Sequence, residues 1–264
     1  MYIQLIEHQG RELVLYMKVG RNGLVLLLFL SFILSGCTSV GQVKTQEVKP
    51  LTYEELPTGN GWWYARFRMA WPADTEPEWH MDLYIAHQVI LPLLQSNKDD
   101  IRLWRFHRRA ARDESGRQFS FIFYSSPQMA QHIFETLRTD ANIVNMKFSG
   151  IIDQDLYDNP DNITRPNLED TSDRHWPISI QKSWPWYIMG ASQMWLNLIT
   201  EVVSENMEER PPATMTEIDA FYKRVDDIVS NMWEEDGRHA FMHHLNAIFE
   251  YKPLIYYEKK YFKF

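Results

Sequence analysis

The sequence predicts an α+β fold for the body of the chain, on three observations. From residue 62 apolar and polar residues alternate with the period of two that a half-buried strand requires. Two further runs of that kind are joined by a short polar connection, the mark of a hairpin. Apolar residues spaced three and four apart fill the stretches between and after them, as amphipathic helices do.

The first strand is Trp62–Trp71 (WWYARFRMAW), with Trp63, Ala65, Phe67 and Met69 on one side and Tyr64, Arg66 and Arg68 on the other. Glu78–Gln95 reads as a helix through Met81, Tyr84, Ile85, Val89 and Leu93, its last turn disturbed by Pro92. Strands Ile101–Arg109 and Arg117–Tyr124 flank the polar connection 110–116. Ser126-Pro127 opens a second helix through Ile133, Phe134 and Leu137, with serine as N-cap and proline in the first helical position. Ile143–Ile152 is expected to close the sheet as its fourth strand. The order β-α-β-β-α-β across residues 61–153 is the ferredoxin-like plan, with its helices on one sheet face.

Residues 154–175 read as an acidic loop and residues 176–264 as a helical region. Trp186–Glu205 carries more than one apolar stripe, and Pro211-Pro212 breaks it. Thr216-Glu-Ile-Asp219 opens the next helix, whose core face is Phe221, Val225, Ile228, Val229 and Met232. A last helix runs from about Gly237 to Glu250, and the end (YKPLIYYEKKYFKF) is aromatic and basic. These helices are expected to pack on the open face of the sheet, giving one body.

The N-terminal part has a different character. Leu24–Leu34 is an apolar run of eleven residues broken only by Ser31. A helix needs roughly 20 such residues to cross a bilayer, so the run has the length of a signal-peptide core. Lys18 and Arg21 precede it and Leu34-Ser35-Gly36-Cys37 ends it. Those four residues resemble the lipobox of bacterial lipoproteins. The resemblance implies that residues 1–36 are a signal peptide and that the Cys37 thiol receives a diacylglyceryl group. It further implies cleavage before Cys37 and acylation of the new amino group, with the lipid bilayer as a partner. Met17-Lys18 is a better signal start than Met1, because Glu7, Arg11 and Glu12 precede the basic flank. Thr38, rather than an aspartate, follows the cysteine, which in that family favours the outer membrane, usually its periplasmic face. Residues 37–60 then form the lipidated cysteine and a polar tether of about 25 Å root-mean-square reach. Cys37 is the only cysteine, so acylation leaves no thiol for a disulfide or for cysteine catalysis.

Three constellations carry candidate chemistry. On a helix, Glu235, His239 and His243 stand at i, i+4 and i+8, where two imidazoles and a carboxylate can hold zinc. The residue after His239 is Ala240, so the general base of the His-Glu-x-x-His metalloproteases is missing. Second, Arg117–Tyr124 (RQFSFIFY) resembles the RNP1 signature of RNA-recognition motifs, but Gln118 and Ser120 replace its small residues. The chain carries a net charge of −8, which argues against a polyanion partner, and no nucleic acid is expected. Third, strand alternation groups Arg66 and Arg68 with Arg105, His107 and Arg109 as an anion-binding set, if the first strand neighbours the hairpin; Arg102 and Arg108 lie nearby. Salt bridges to the chain's own acids are the alternative use of those guanidiniums. The reading that follows is a membrane-anchored, non-enzymatic periplasmic protein that binds or scaffolds an envelope component, without a cofactor. The alternative is a zinc-dependent hydrolase built on Glu235, His239 and His243.

Overall fold

The computed structural model describes residues 57–207 and 211–250. Cys37, the lipobox expected to end at it and the aromatic, basic end lie outside the described residues. The fold is α+β. Its four strands are β1 (Gly61–Met69), β2 (Leu103–Ala110), β3 (Arg117–Ser125) and β4 (Ile152–Tyr157). They form one sheet in the order β2-β3-β1-β4, with every neighbouring pair antiparallel.

Alternation decides which side of the sheet is the core. Trp63, Ala65, Phe67 and Met69 of β1, Phe119, Phe121 and Phe123 of β3, and Trp104 and Phe106 of β2 all point to one face and are buried. Their rings pack edge and face, with Phe106 5.3 Å from Phe119 and Phe121 5.0 Å from Phe123. Each such side chain contributes about 1.5–3 kcal/mol when removed from water.

Helix α1 covers that face in three successive stretches, His80–Tyr84, the π-wound Ile85–Ile90 and Leu91–Ser96. The widened winding stands directly before Pro92, which has no N–H for a regular i→i−4 bond. Helix α2 (Pro127–Thr139) starts on Ser126, whose hydroxyl accepts from the Met129 amide at 3.2 Å.

The fourth strand is displaced from the expected segment. Ala141–Phe148 is a helix, α3, capped by Asp140, whose carboxylate accepts from the amides of Asn142 and Ile143. Ile143 and Met146, three apart, point into the core, a helical spacing that a strand reading passes over. The strand is Ile152–Tyr157 instead, and it pairs along Ala65–Met69 of β1.

The C-terminal helices are α4 (Ile178–Asn206), α5 (Met215–Met232) and α6, the last π-wound over Trp233–His243 and regular over His244–Ile248. The cap of α5 is Thr214 with Glu217, a capping box two residues earlier than expected. These helices do not fill the open face of the sheet. Helix α4 wraps the β2 edge: Trp186 and Met189 near its start meet Trp62, Leu103, Ile122 and Tyr124 on the far face. Further along, Leu196, Ile199, Val202 and Val203 join the main core with Phe221, Tyr222, Val225 and Val229 of α5. Between the two, Ser192 accepts from the outward-facing amide of Phe106 at 3.1 Å. An edge strand leaves such amides unpaired, and a covering helix is one way of satisfying them.

The segment after β4 closes one end of the far face. The Trp62 amide donates to the Arg165 carbonyl at 2.9 Å, and the Trp62 indole to the Leu168 carbonyl at 3.0 Å. Gly61 permits this approach, since a Cβ there would stand 2.6 Å from the Ile163 side chain.

Candidate functional site

The arginines grouped by alternation share the far face of the sheet. The register aligns Arg66 with Ser120 and His107, and Arg68 with Gln118 and Arg109, so β3 lies between the two basic strands. Most of their hydrogen-bonding capacity is used within the chain. Arg66 and Arg165 both pair with Asp158, which also accepts from the Tyr64 amide. Arg105 donates to the Thr171 hydroxyl at 3.0 Å, and Arg109 reaches Asp113 at 2.6 Å. Arg68 Nε is buried without a hydrogen-bond partner. Partial burial, then the charges of Arg105 and Arg109, hold the His107 imidazole below its ordinary range.

Arg108 points to the opposite, helix-covered side, into a cluster that the sequence did not suggest. Asp82 of α1 is fully buried and accepts from Arg108 Nε and from Arg117 Nη2, each at 2.9 Å. Both guanidiniums lie 5.0 Å from the Trp79 ring, and Arg108 lies equally far from that of Trp195. His80 Nε2 is 2.7 Å from Asp219 on α5. Asp226, also on α5, faces a cleft of about 280 Å³ with Trp79, Arg108 and Ser230. Burial raises the Asp226 carboxyl above the usual carboxylate range, against the opposing pull of Arg108 and His80. Asp82 thus pairs with both arginines, Asp226 and the His80–Asp219 pair border them from α5, and the cluster joins the sheet to the C-terminal helices.

The histidine constellation lies on α6. His239 and His243 stack with ring centroids 4.8 Å apart and planes within 14°. Glu235 is exposed. Among the described residues no group of three or more His, Cys, Asp or Glu side chains is placed to hold a metal ion. Gly237 serves another contact. A Cβ there would come within 2.7 Å of the Trp233 ring, so glycine lets that indole lie along the helix and stack on Phe241 at 6.2 Å.

A cavity of about 440 Å³ opens where α1, α3 and the start of α5 converge, and no sequence motif marked it. Its polar wall is neutral. Tyr84 donates to Asn142 Oδ1 at 2.8 Å, and Gln88 donates to the Tyr222 hydroxyl at 3.1 Å. Tyr222 Oη also lies 2.8 Å from His87 Nδ1, and the Tyr84 and Tyr222 rings meet edge-on at 5.1 Å. Burial first, and Asp140 second, raises the Tyr84 hydroxyl. Burial likewise raises Tyr222 and lowers His87. At neutral pH, therefore, the phenols keep their protons and the imidazole is uncharged. Asn145, Phe148 and Met215 complete the mouth. Such a wall can hold hydroxyl and amide groups by hydrogen bonds, with aromatic faces for apolar ligand surface. The sequence hid it because its groups come from three separated helices, one of which was read as a strand.

No protein-family model, no curated protein and no solved structure matches this chain. No helix among the described residues is long and apolar enough to cross a membrane.

Proposed function

We propose that this chain is a lipid-anchored binding protein of the bacterial cell envelope, tethered through an acylated Cys37 at the periplasmic face of the outer membrane. Its body is a ferredoxin-like α+β unit with added C-terminal helices. The strand order β2-β3-β1-β4, antiparallel throughout, supports that plan. The binding reading is carried by the neutral cavity between Tyr84 and Tyr222, whose volume of about 440 Å³ suits a small ligand or one unit of a larger one. Its amide and phenol lining favours an uncharged, hydroxyl- or amide-bearing envelope component over an ionic one. The guanidiniums of Arg66, Arg109 and Arg105 on the far face serve the fold, since Asp158, Asp113 and Thr171 respectively hold them.

Equilibrium dialysis of the full chain against a neutral N-acetylglucosamine oligomer tests the reading. Binding that is insensitive to salt and lost in Asn145→Trp, which fills the exposed mouth, is the expected result. Failure to bind, or equal binding by Asn145→Trp, would remove the cavity as the ligand site.

A further inference from the structure

We infer that the groove between the end of α1 and the middle of α4 binds a single-chain amphiphile with an anionic head, of the fatty-carboxylate class. The groove encloses about 820 Å³ and shares no lining residue with the Tyr84–Tyr222 cavity, so it does not rest on that reading. Leu91 and Leu94 of α1, Ile101 and Trp104 at the entry to β2, and Met189 and Leu196 of α4 make its lining apolar. The polar α4 residues beside them bond along their own helix. Gln193 donates to Asn197 Oδ1 at 2.7 Å, and the Thr200 hydroxyl donates to the Leu196 carbonyl at 2.9 Å. Those bonds leave the apolar surface for an alkyl chain, in a volume that suits a small-molecule ligand. Gly190 lines the same groove from inside α4, where glycine costs helix stability relative to alanine. Close packing does not account for it, since a Cβ at 190 would meet no atom of the described residues within 4 Å. A larger side chain there would take up space at the groove wall, which the glycine leaves to an occupant.

Charge selects the head group. Among the described residues, Lys98 and Arg102 are the only charged side chains of the lining, and Lys98 is exposed in the turn that joins α1 to β2. Asp99 and Asp100 of the same turn line a different cavity, with Pro57, Asn60 and Tyr124, and Arg102 borders both. A carboxylate at this end of the groove therefore meets the Lys98 ammonium, in a chain whose net charge is −8. The same end repels a long-chain cation, and an uncharged alcohol gains nothing from it.

The test is isothermal titration of the full chain, carrying Cys37→Ser so that no acyl group of its own contributes, with octanoate, decanoate and decan-1-ol. Decanoate is expected to bind one site about tenfold more tightly than octanoate, since each buried methylene strengthens binding by up to about fourfold. Lys98→Glu should weaken decanoate by about fivefold and leave decan-1-ol unchanged. Gly190→Trp should remove the binding of both, whereas Gly190→Ala should keep it with a melting temperature no lower than the parent's. Both positions are exposed, and an unchanged circular dichroism spectrum establishes that the variants fold. Decan-1-ol binding as tightly as decanoate, or decanoate binding indifferent to Lys98→Glu, overturns the anionic head and with it the inference. Undiminished binding by Gly190→Trp puts the alkyl chain elsewhere and overturns it as well. So does a failure of decanoate to bind, and if Gly190→Trp then converts a dimer to a monomer, the occupant is a second copy of the chain.

Discussion

Arg117 and Asp82 form a buried ion pair, 2 % and 0 % exposed, joined at 2.9 Å across 35 residues of chain. Such a pair is costly to form, because both ions leave water, and costly to break, because one is then left uncompensated. Asp82→Ala strands two guanidiniums, those of Arg117 and Arg108. It is expected to lower unfolding free energy by about 3–5 kcal/mol, read from the urea midpoint. Replacing both partners, Asp82→Leu with Arg117→Met, should cost less than the single change. A double variant as unstable as Asp82→Ala would show that the pair's geometry, rather than the orphaned charge, carries the effect.

The Asp226 carboxyl provides a pH signature for the same region. Burial raises its folded value above the unfolded one, so the native state holds this proton more tightly. The stability it contributes is complete below the ordinary carboxylate range and is lost as pH rises through the raised value. Asp226→Asn keeps the shape and cannot ionise. Its stability relative to the parent should therefore improve between about pH 4 and pH 7. Denaturant midpoints at those two conditions measure this, and a gap that does not change with pH would mean that Asp226 titrates normally.

Much of the sheet was legible because one face of β1 and of β3 is apolar at every second residue. Phe119, Phe121 and Phe123 cannot all face water, and their period of two admits only a strand. The Ser126 cap was readable for a similarly local reason, since serine followed by proline satisfies and pre-sets a first helical turn. The segment 141–157 misled because Ile143 and Ile152 bracket a stretch that is apolar on either period. The Asp140 cap and Tyr157, against which the Phe134 ring packs at 5.2 Å, decide between them. The sequence grouped Arg66, Arg68, Arg105 and Arg109 on one face and allowed salt bridges to the chain's own acids, but nothing local identified Asp158 and Asp113 as the partners of two of them. The cavity was illegible because its wall is a tertiary product of Tyr84, Asn142 and Tyr222, none of which belongs to a local motif.

The anchor yields a direct biochemical outcome. Cys37→Ser in the full chain should abolish labelling by radioactive palmitate and block maturation to the shorter form. Labelling that survives the substitution would exclude the lipobox reading of Leu34-Ser35-Gly36-Cys37.

The histidine pair on α6 decides between the binding reading and the zinc-hydrolase alternative. A zinc ion about 2.0–2.1 Å from two imidazoles needs their in-plane lone pairs to converge on one point. His239 and His243 instead lie nearly parallel, 4.8 Å apart, so their lone pairs run side by side. Holding zinc would require one ring to rotate out of the stack and Glu235 to swing in from solvent. The expected outcome is no stoichiometric zinc in protein purified without a histidine tag, and no change in melting temperature with added zinc or chelator at neutral pH. His239→Ala should then have the same melting temperature in the presence and absence of zinc. One tightly held equivalent of metal, with a zinc-dependent rise in melting temperature that His239→Ala removes, would establish a metal site on α6 by mass action. Even that result would leave the metal without a general base next to His239, because Ala240 stands where the glutamate of His-Glu-x-x-His would be.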